Sequence, residues 1–134
     1  MEGTAAIGLN ELLFRAVKRS KPETLVDGRV TSALFKEAVY RGVSVDREAG
    51  RKRSDVIVFI LNGSLRGRVK GIACFHSNVC EEIGAVVEIT PSSDNPYHAD
   101  IILDKDNEQN YNLQTWQLAK ACKVVYEDKM MGWT

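Results

Sequence analysis

The apolar residues of this chain come in short segments, and this limits the folds open to it. The longest uninterrupted apolar run, Val56 to Leu61, has six residues, whereas a helix that crosses a membrane needs about 20. Glycine, proline, asparagine and aspartate bound the other apolar segments, as is typical of chains that alternate strands with short helices. We therefore expect a folded domain without a membrane-spanning segment.

The length and charge balance fit one ordinary globular domain. The chain has 134 residues, of which 44% are hydrophobic and 27% are charged, so we predict a single domain over residues 1–134. Residues 1–9 are expected to be flexible and residues 127–134 to form a tail. The 18 basic and 18 acidic residues cancel, which argues against a globally basic nucleic-acid binder.

The cysteines and the N-terminus indicate a cytoplasmic location. Three cysteines, an odd number, occur at Cys74, Cys80 and Cys122. The first ten residues have neither the basic region nor the long apolar region of a signal peptide. Together these features predict reduced thiols in the cytoplasm.

Periodicity predicts the order strand, helix, strand, strand, short helix, strand, strand, long helix. The segment "ELLFRAVKR" fits a strand slightly better than a helix capped by Asn10. Thr31 or Ser32 would begin a short helix, and Asn112 would cap the last helix, running to about Tyr126. The further predicted strands are "VSVDR", "RVKGIACF", "AVVEIT" and "YHADIILD", and the further short helix is "SNVCEEIG".

The segment "SDVIVFILNG" is ambiguous. Ser54 is a plausible helix cap with Asp55 in the first turn, but the β-branched residues that follow favour a strand. The mixed order of strands and helices predicts an α+β fold, with a single mixed or antiparallel sheet, short helices, and a C-terminal amphipathic helix packed on the sheet.

Both histidines and two of the cysteines fall between Cys74 and His98. Such residues can bind zinc, but the segment has no Cys-x-x-Cys pair of the usual spacing, so we predict no metal site and no cofactor. His98 and Asp100 share one strand face, and His76 could meet His98 across adjacent strands. His98 is then either a general base or a residue that only marks where a loop enters a strand.

The segment 47–70 is rich in basic residues, and we predict that it is a loop that binds a protein or a nucleic acid. Within it, "NGSLRGR" could form an anion-binding turn, although it lacks the Lys-Ser or Lys-Thr ending of a P-loop. The predicted binding residues are Arg51, Lys52, Arg53, Arg66 and Arg68.

Four stretches, "LFRAV", "ALFKEAVYRGVSVDR", "EEIGAVVEITPS" and "NPYHADI", together resemble a diffuse group of small bacterial proteins with the pattern "FR…GLSV…NPxHAxI". The resemblance covers about Leu12 to Ile102 and implies a shared fold. The chain differs from this group in its longer basic segment and its added C-terminal helix.

A fainter likeness is to ADP-ribosyltransferase-type folds, in which an early strand carries Arg or His and a later segment carries Ser or Thr. Arg15 and Ser44 take those positions, and His98 takes the place of the late catalytic residue. The likeness implies that Arg15 clamps dinucleotide phosphates and that Ser44 orients the nicotinamide ribose.

The sequence thus leaves two functions open. The first is a small cytoplasmic module that binds a protein or nucleic acid, in a bacterial defence or toxin–antitoxin gene pair. The second is an enzyme, either NAD-handling with Arg15, Ser44 and His98 as catalytic residues, or thiol-dependent. The enzyme requires that Arg15, Ser44 and His98 converge in one concave pocket.

Overall fold

The computed structural model describes residues 11–36 and 42–128. Its centre is a six-stranded sheet in the order β6-β7-β4-β1-β5-β8, and every neighbouring pair in it is antiparallel. The α+β prediction is therefore confirmed. The six strands are β1 Leu12–Lys18, β4 Val43–Arg47, β5 Val69–His76, β6 Val86–Ile89, β7 His98–Ile102 and β8 Lys123–Glu127.

The remaining elements are a small hairpin and several helices. The hairpin consists of β2 Leu25–Val26 and β3 Arg29–Val30, and two 3₁₀ helices cover Pro22–Thr24 and Ser32–Phe35. The α-helices are α1 Arg53–Leu61, α2 Asn78–Glu82 and α3 Glu108–Ala121. Among the described residues, no helix has the length and apolarity needed to cross a membrane.

The two faces of the sheet carry different layers. Alternate residues such as Leu13, Val45 and Phe75 point to one face, which we call the main-core face, where they pack with the second 3₁₀ helix and with Leu118 of α3. The other set packs under α1 and forms the α1 face; it includes Phe14. The apolar cluster under α1 draws on β1, β5 and β8, not on β4, β6 or β7.

Helix α1 corrects the prediction of a strand in "SDVIVFILNG". Val56 and Ile60, four residues apart, are buried against the sheet, with Ile57 and Leu61 beside them. β-branched residues cost a helix only a few tenths of a kcal/mol each, and burying one such side chain returns about 1.5–3 kcal/mol. Packing on the sheet therefore outweighs the local strand preference.

The C-terminal helix begins and ends earlier than predicted. Its cap is Asn107, whose side chain accepts a hydrogen bond from the Asn110 N–H at 3.0 Å, and not Asn112. It ends at Ala121, because Cys122 is extended and the residues after it form β8 along the open edge of β5.

Some sequence predictions fall partly outside the described residues. Those for residues 1–9 do so entirely. In the segment 127–134, Glu127 pairs with Gly71 at the end of β8, and Asp128 forms an ion pair with Arg19. The predicted helix after Ser32 is a 3₁₀ helix with Leu34 and Phe35 buried, and its proposed continuation over residues 37–41 lies outside the described ranges.

The pairing between β1 and β4 is interrupted, and we call this interruption the seam. Strands β1 and β4 pair at Leu13–Arg47 and Phe14–Asp46, and the register does not continue beyond these positions. In contrast, β1 pairs with β5 from Leu12 to Lys18. The seam opens a space on the α1 face between β1 and β4.

Candidate functional site: an acidic cleft beside α1

A cleft of about 610 Å³ lies where β1 and β4 separate. Its walls come from β1, β4, β7, the last turn of α1 with the turn after it, and the loop between β6 and β7. Clefts of about 300–1,000 Å³ are typical of small-molecule sites. The three residues predicted as catalytic, Arg15, Ser44 and His98, all line it.

Arg15 lies at the base of the cleft and is held by the protein. By strand alternation it belongs with Leu13 on the main-core face, and its Nε donates to the carbonyl of Leu34 at 2.9 Å. Its Nη1 donates to the carbonyl of Ser44 at 2.8 Å. Arg15 thus links β1 to β4 where their main-chain pairing has stopped.

Polar residues of β4 and β7 form the floor of the cleft. Ser44 pairs with Asp100 in the register, and Asp46 pairs with His98. Cross-strand partners share a face, with Cβ atoms about 4.5–5.5 Å apart. His98 and Asp100 are half-buried and face the cleft instead of the main core.

Thr90, the residue that directly follows β6, orients His98. The Nδ1 atom of His98 lies 2.8 Å from the Thr90 hydroxyl and 3.1 Å from the Thr90 carbonyl. The same hydroxyl donates to Oδ2 of Asp100 at 3.1 Å. A carbonyl oxygen can only accept, so Nδ1 carries the hydrogen and the neutral ring keeps Nε2 as its acceptor.

The free nitrogen of His98 also has an acidic neighbour. Nε2 lies 4.0 Å from Oδ1 of Asp100, close enough for an ion pair when the ring is protonated. The chain Asp100, Thr90, His98 therefore fixes both the tautomer and the orientation of the imidazole. A base oriented by a third group is the arrangement that proton transfer requires.

Asp46, opposite His98, is a carboxyl group in a poorly solvated position. Its Oδ1 accepts from Asn95 Nδ2 at 3.2 Å, and its Oδ2 is buried without a hydrogen-bond partner among the described residues. Burial raises the pKa of Asp46 above its ordinary value of 3.8, against the opposing effects of Asn95, Arg51 and His98. A carboxyl group of this kind can hold a proton and release it during a reaction.

Replacing Asp46 with asparagine should raise stability at neutral pH by on the order of 1 kcal/mol, within the range of single stabilising changes. The pKa of Asp46 is raised in the folded state, so the folded protein binds the proton more tightly than the unfolded chain. The penalty is absent below pH 3.8 and grows as pH rises through the folded pKa. Urea unfolding of the parent protein and of the Asp46→Asn variant at several pH values measures this penalty.

The matched control for that substitution is Asp106→Asn, because Asp106 is exposed in the loop before α3. The urea midpoint of the Asp106→Asn protein should not show the change with pH that we expect for the Asp46→Asn protein. An Asp46→Asn protein that loses stability equally at every pH would contradict the argument from burial.

The basic segment 47–70 is not one loop, which corrects that part of the prediction. It contains the end of β4, a turn, helix α1, a second turn and the start of β5. Lys52 and Arg53 are exposed at the start of α1, and Arg66 and Arg68 are exposed after its end, about 12 Å further along at 1.5 Å per helical residue. The predicted binding residues thus form two groups.

Arg51, the fifth predicted binding residue, packs within the protein. The guanidinium carbon lies 3.4 Å from the ring centre of Tyr97 and 5.4 Å from that of Phe59. Its Nε donates to the Glu48 carbonyl at 3.2 Å. Burial lowers the pKa of Arg51. Arg51 therefore joins the start of α1 to the β6–β7 loop beside the cleft.

The cysteines and His76 do not join His98. His76 is exposed at the end of β5, and β1 and β4 lie between that strand and β7, a separation of about 14 Å at the usual strand spacing. The expectation that the two histidines meet is wrong. In residues 11–36 and 42–128, no three His, Cys, Asp or Glu side chains are grouped to hold a metal ion.

The thiols are poorly placed for nucleophilic work. Burial raises the pKa of Cys74, Cys122 and Cys80, the last to about 12. A reactive cysteine needs the opposite shift, since the thiolate is the nucleophile.

Sequence reasoning missed Asp46 and Thr90. The alternation of "VSVDR" places Asp46 on the same face as Ser44, so the signal was present once Ser44 was singled out. Thr90 was not marked, because its role depends on the pairing of β6 with β7. Its contact with His98 follows from that pairing and from no local motif.

The comparisons with known proteins add no relative to this picture. The chain matches no protein-family model, no curated protein and no solved structure.

Proposed function

We propose that the chain is an enzyme that performs acid–base catalysis on a small polar molecule bound in the cleft. One observation carries the proposal: His98, oriented by Thr90, faces Asp46 across adjacent strands inside a cleft of about 610 Å³. Two titratable groups with different environments at one site are the usual basis for separate acid and base roles.

The two groups have complementary roles. His98 accepts a proton at Nε2, because Nδ1 is committed to Thr90. Asp46 is assigned the role of the acid, because burial raises its pKa and its carboxyl group therefore holds a proton more readily than an exposed aspartate. Ser44, exposed on the same floor, is available to bind a substrate hydroxyl. Proton transfer by positioned groups contributes about 10²–10⁴-fold to a rate.

The NAD-handling version receives mixed support. Arg15, Ser44 and His98 line one cleft, as that version requires. However, two of the Arg15 nitrogens donate to main-chain carbonyls, so these contacts stabilise the cleft and do not point the guanidinium at a ligand. Dinucleotide phosphates would also meet the carboxylate of Asp100, which repels them. The proposed substrate class of the acid–base site is therefore not restricted to NAD.

A ligand panel followed by NMR tests the proposal. The ¹⁵N-labelled chain is titrated with sugars, polyols, nucleosides, nucleotides including NAD, amino acids and polyamines, and amide shifts are mapped. We expect at least one compound to shift Ser44, Asp46 and His98 together and to be converted by the protein. Asp46→Asn should bind that compound and fail to convert it. A panel in which no compound shifts the cleft residues would overturn the proposal.

Nucleic-acid binding by the basic segment is the second candidate. Lys52, Arg53 and Arg66 are exposed, and none of them contacts a described carboxylate. Retention on nucleic acid at low salt that falls with salt and with the Lys52→Ala, Arg53→Ala double variant would support it. Absence of retention at low salt would remove it.

A further inference from the structure

The cleft has two chemically different ends, and we propose that its basic end binds a phosphate group while its acidic end binds the hydroxyl groups of the same ligand. The ligand class is a phosphorylated polyol, such as a sugar phosphate or a nucleoside monophosphate. This inference deepens the proposed function and rests on it, because the acidic end is the Asp46–His98 site.

The basic end is formed by Lys18 and the turn that follows α1. Lys18 lines the cleft together with Gly63, Ser64 and Leu65. It pairs in the register with Val69, and its ammonium forms no ion pair or hydrogen bond with a described residue. An unpaired ammonium group on the wall of a cleft is a strong attraction for an anion.

Main-chain donors strengthen this end. The N–H groups of Ser64 and Leu65 have no acceptor among the described residues, whereas the neighbouring Gly63 and Arg66 N–H groups donate to Ile60 and Gly63 carbonyls. Consecutive free N–H groups in a turn form concave sites for anions. The turn is also where "NGSLRGR" predicted an anion site, and it lies on the wall of the cleft.

Helix α1 does not provide this attraction. The turn follows the C-terminal end of α1, where the helix dipole is negative and disfavours an anion. The charge must therefore come from side chains. Arg66 and Arg68 are exposed in the same turn, and the Arg68 Nη2 donates to the Ser64 carbonyl at 2.8 Å, which holds one cation beside the free N–H groups.

The opposite end repels phosphate and accepts hydroxyls. Asp46, Asp94 and Asp100 line this end. In the register, Asp46 pairs with Phe14, four residues along β1 from Lys18, and Asp100 lies two residues from His98 on β7. Carboxylates accept hydrogen bonds from hydroxyl groups and oppose a second anion. The polarity of the cleft thus fixes the orientation of a ligand that has one phosphate and several hydroxyls.

Paired ligands test the inference. Sugar phosphates with three to six carbons and nucleoside 5′-monophosphates are compared with their dephosphorylated forms by NMR titration of the full chain. We expect a phosphorylated member to bind about tenfold more tightly than its partner, equal to about 1.4 kcal/mol. It should shift the amides of Ser64 and Leu65, while the dephosphorylated form shifts Ser44 and His98 alone.

Lys18→Ala is the test variant and Lys123→Ala the control, because both remove one positive charge and Lys123 is exposed at the start of β8, two strands from β1. Lys18→Ala should abolish the preference for the phosphorylated form, and Lys123→Ala should preserve it. Equal affinities within every pair, or equal effects of the two variants, would overturn the inference. If dephosphorylated polyols still bind at Ser44 and His98, the inference fails and the acid–base proposal stands. If no compound binds there, both fail.

Discussion

Glutamine in place of His98 should lower kcat by about 10²–10⁴ on the compound that the ligand panel identifies. The change removes the only ring nitrogen free to accept a proton, Nε2, while a glutamine amide can keep a hydrogen bond to Thr90. Substrate binding should change little, because we propose that the contacts to the ligand hydroxyls come from Ser44, Asp46 and Asp100. We therefore expect the loss in kcat, with KM nearly unchanged.

The matched control for this variant is His76→Gln. His76 is the other histidine of the chain, and it is exposed at the end of β5, outside the cleft. Its replacement should leave kcat unchanged. Equal losses in the two variants would indicate a general effect on folding, and an active His98→Gln protein would remove His98 from the reaction.

Replacing Phe75 with alanine should lower the free energy of unfolding by about 3–5 kcal/mol, the range for a buried aromatic residue. Phe75 is 2% exposed in the main core. Its ring lies 5.7 Å from that of Phe35 at an angle of 80°, an edge-to-face pair that joins β5 to the second 3₁₀ helix. The substitution therefore removes both the buried area and the ring pair.

Urea unfolding measures the change, with Leu113→Ala as the control. Leu113 is 49% exposed on α3, so its truncation should change stability by no more than about 0.5 kcal/mol. If Phe75→Ala is too unstable to purify, Phe75→Leu keeps part of the volume and should lie between the two. A Phe75→Ala protein as stable as the parent would contradict the position of the main core.

Five of the six strands of the central sheet were predictable from the sequence, because each is an apolar or alternating segment with a turn at its end. Strand β8 was not, and most of its residues were predicted to belong to the C-terminal helix. "YHADIILD" separates buried Ala99 and Ile101 from half-buried His98 and Asp100, as period two requires. Helix α1 was not predictable in this way. Its apolar residues surround the whole segment, so the sequence has no period to read, and only the sheet beneath it selects the helical form.

The candidate site was also predictable from the sequence only in part. Arg15, Ser44 and His98 were chosen one by one as polar residues within apolar elements, and all three line the cleft. Their roles were not predictable, because these depend on strand order. Placing β4 between β1 and β7 sets Asp46 opposite His98, and placing β6 next to β7 brings Thr90 to the imidazole. Long-range pairing of this kind leaves no local signature.

The seam between β1 and β4 makes the width of the site depend on one side chain. Where a main-chain ladder would fix the strands at about 4.8 Å, the Arg15 guanidinium spans the gap and hydrogen-bonds to the far strand at Ser44. Arg15 therefore does at this position what a main-chain ladder does elsewhere in the sheet. Without its guanidinium, β1 and β4 would be joined in the register only at Leu13–Arg47 and Phe14–Asp46.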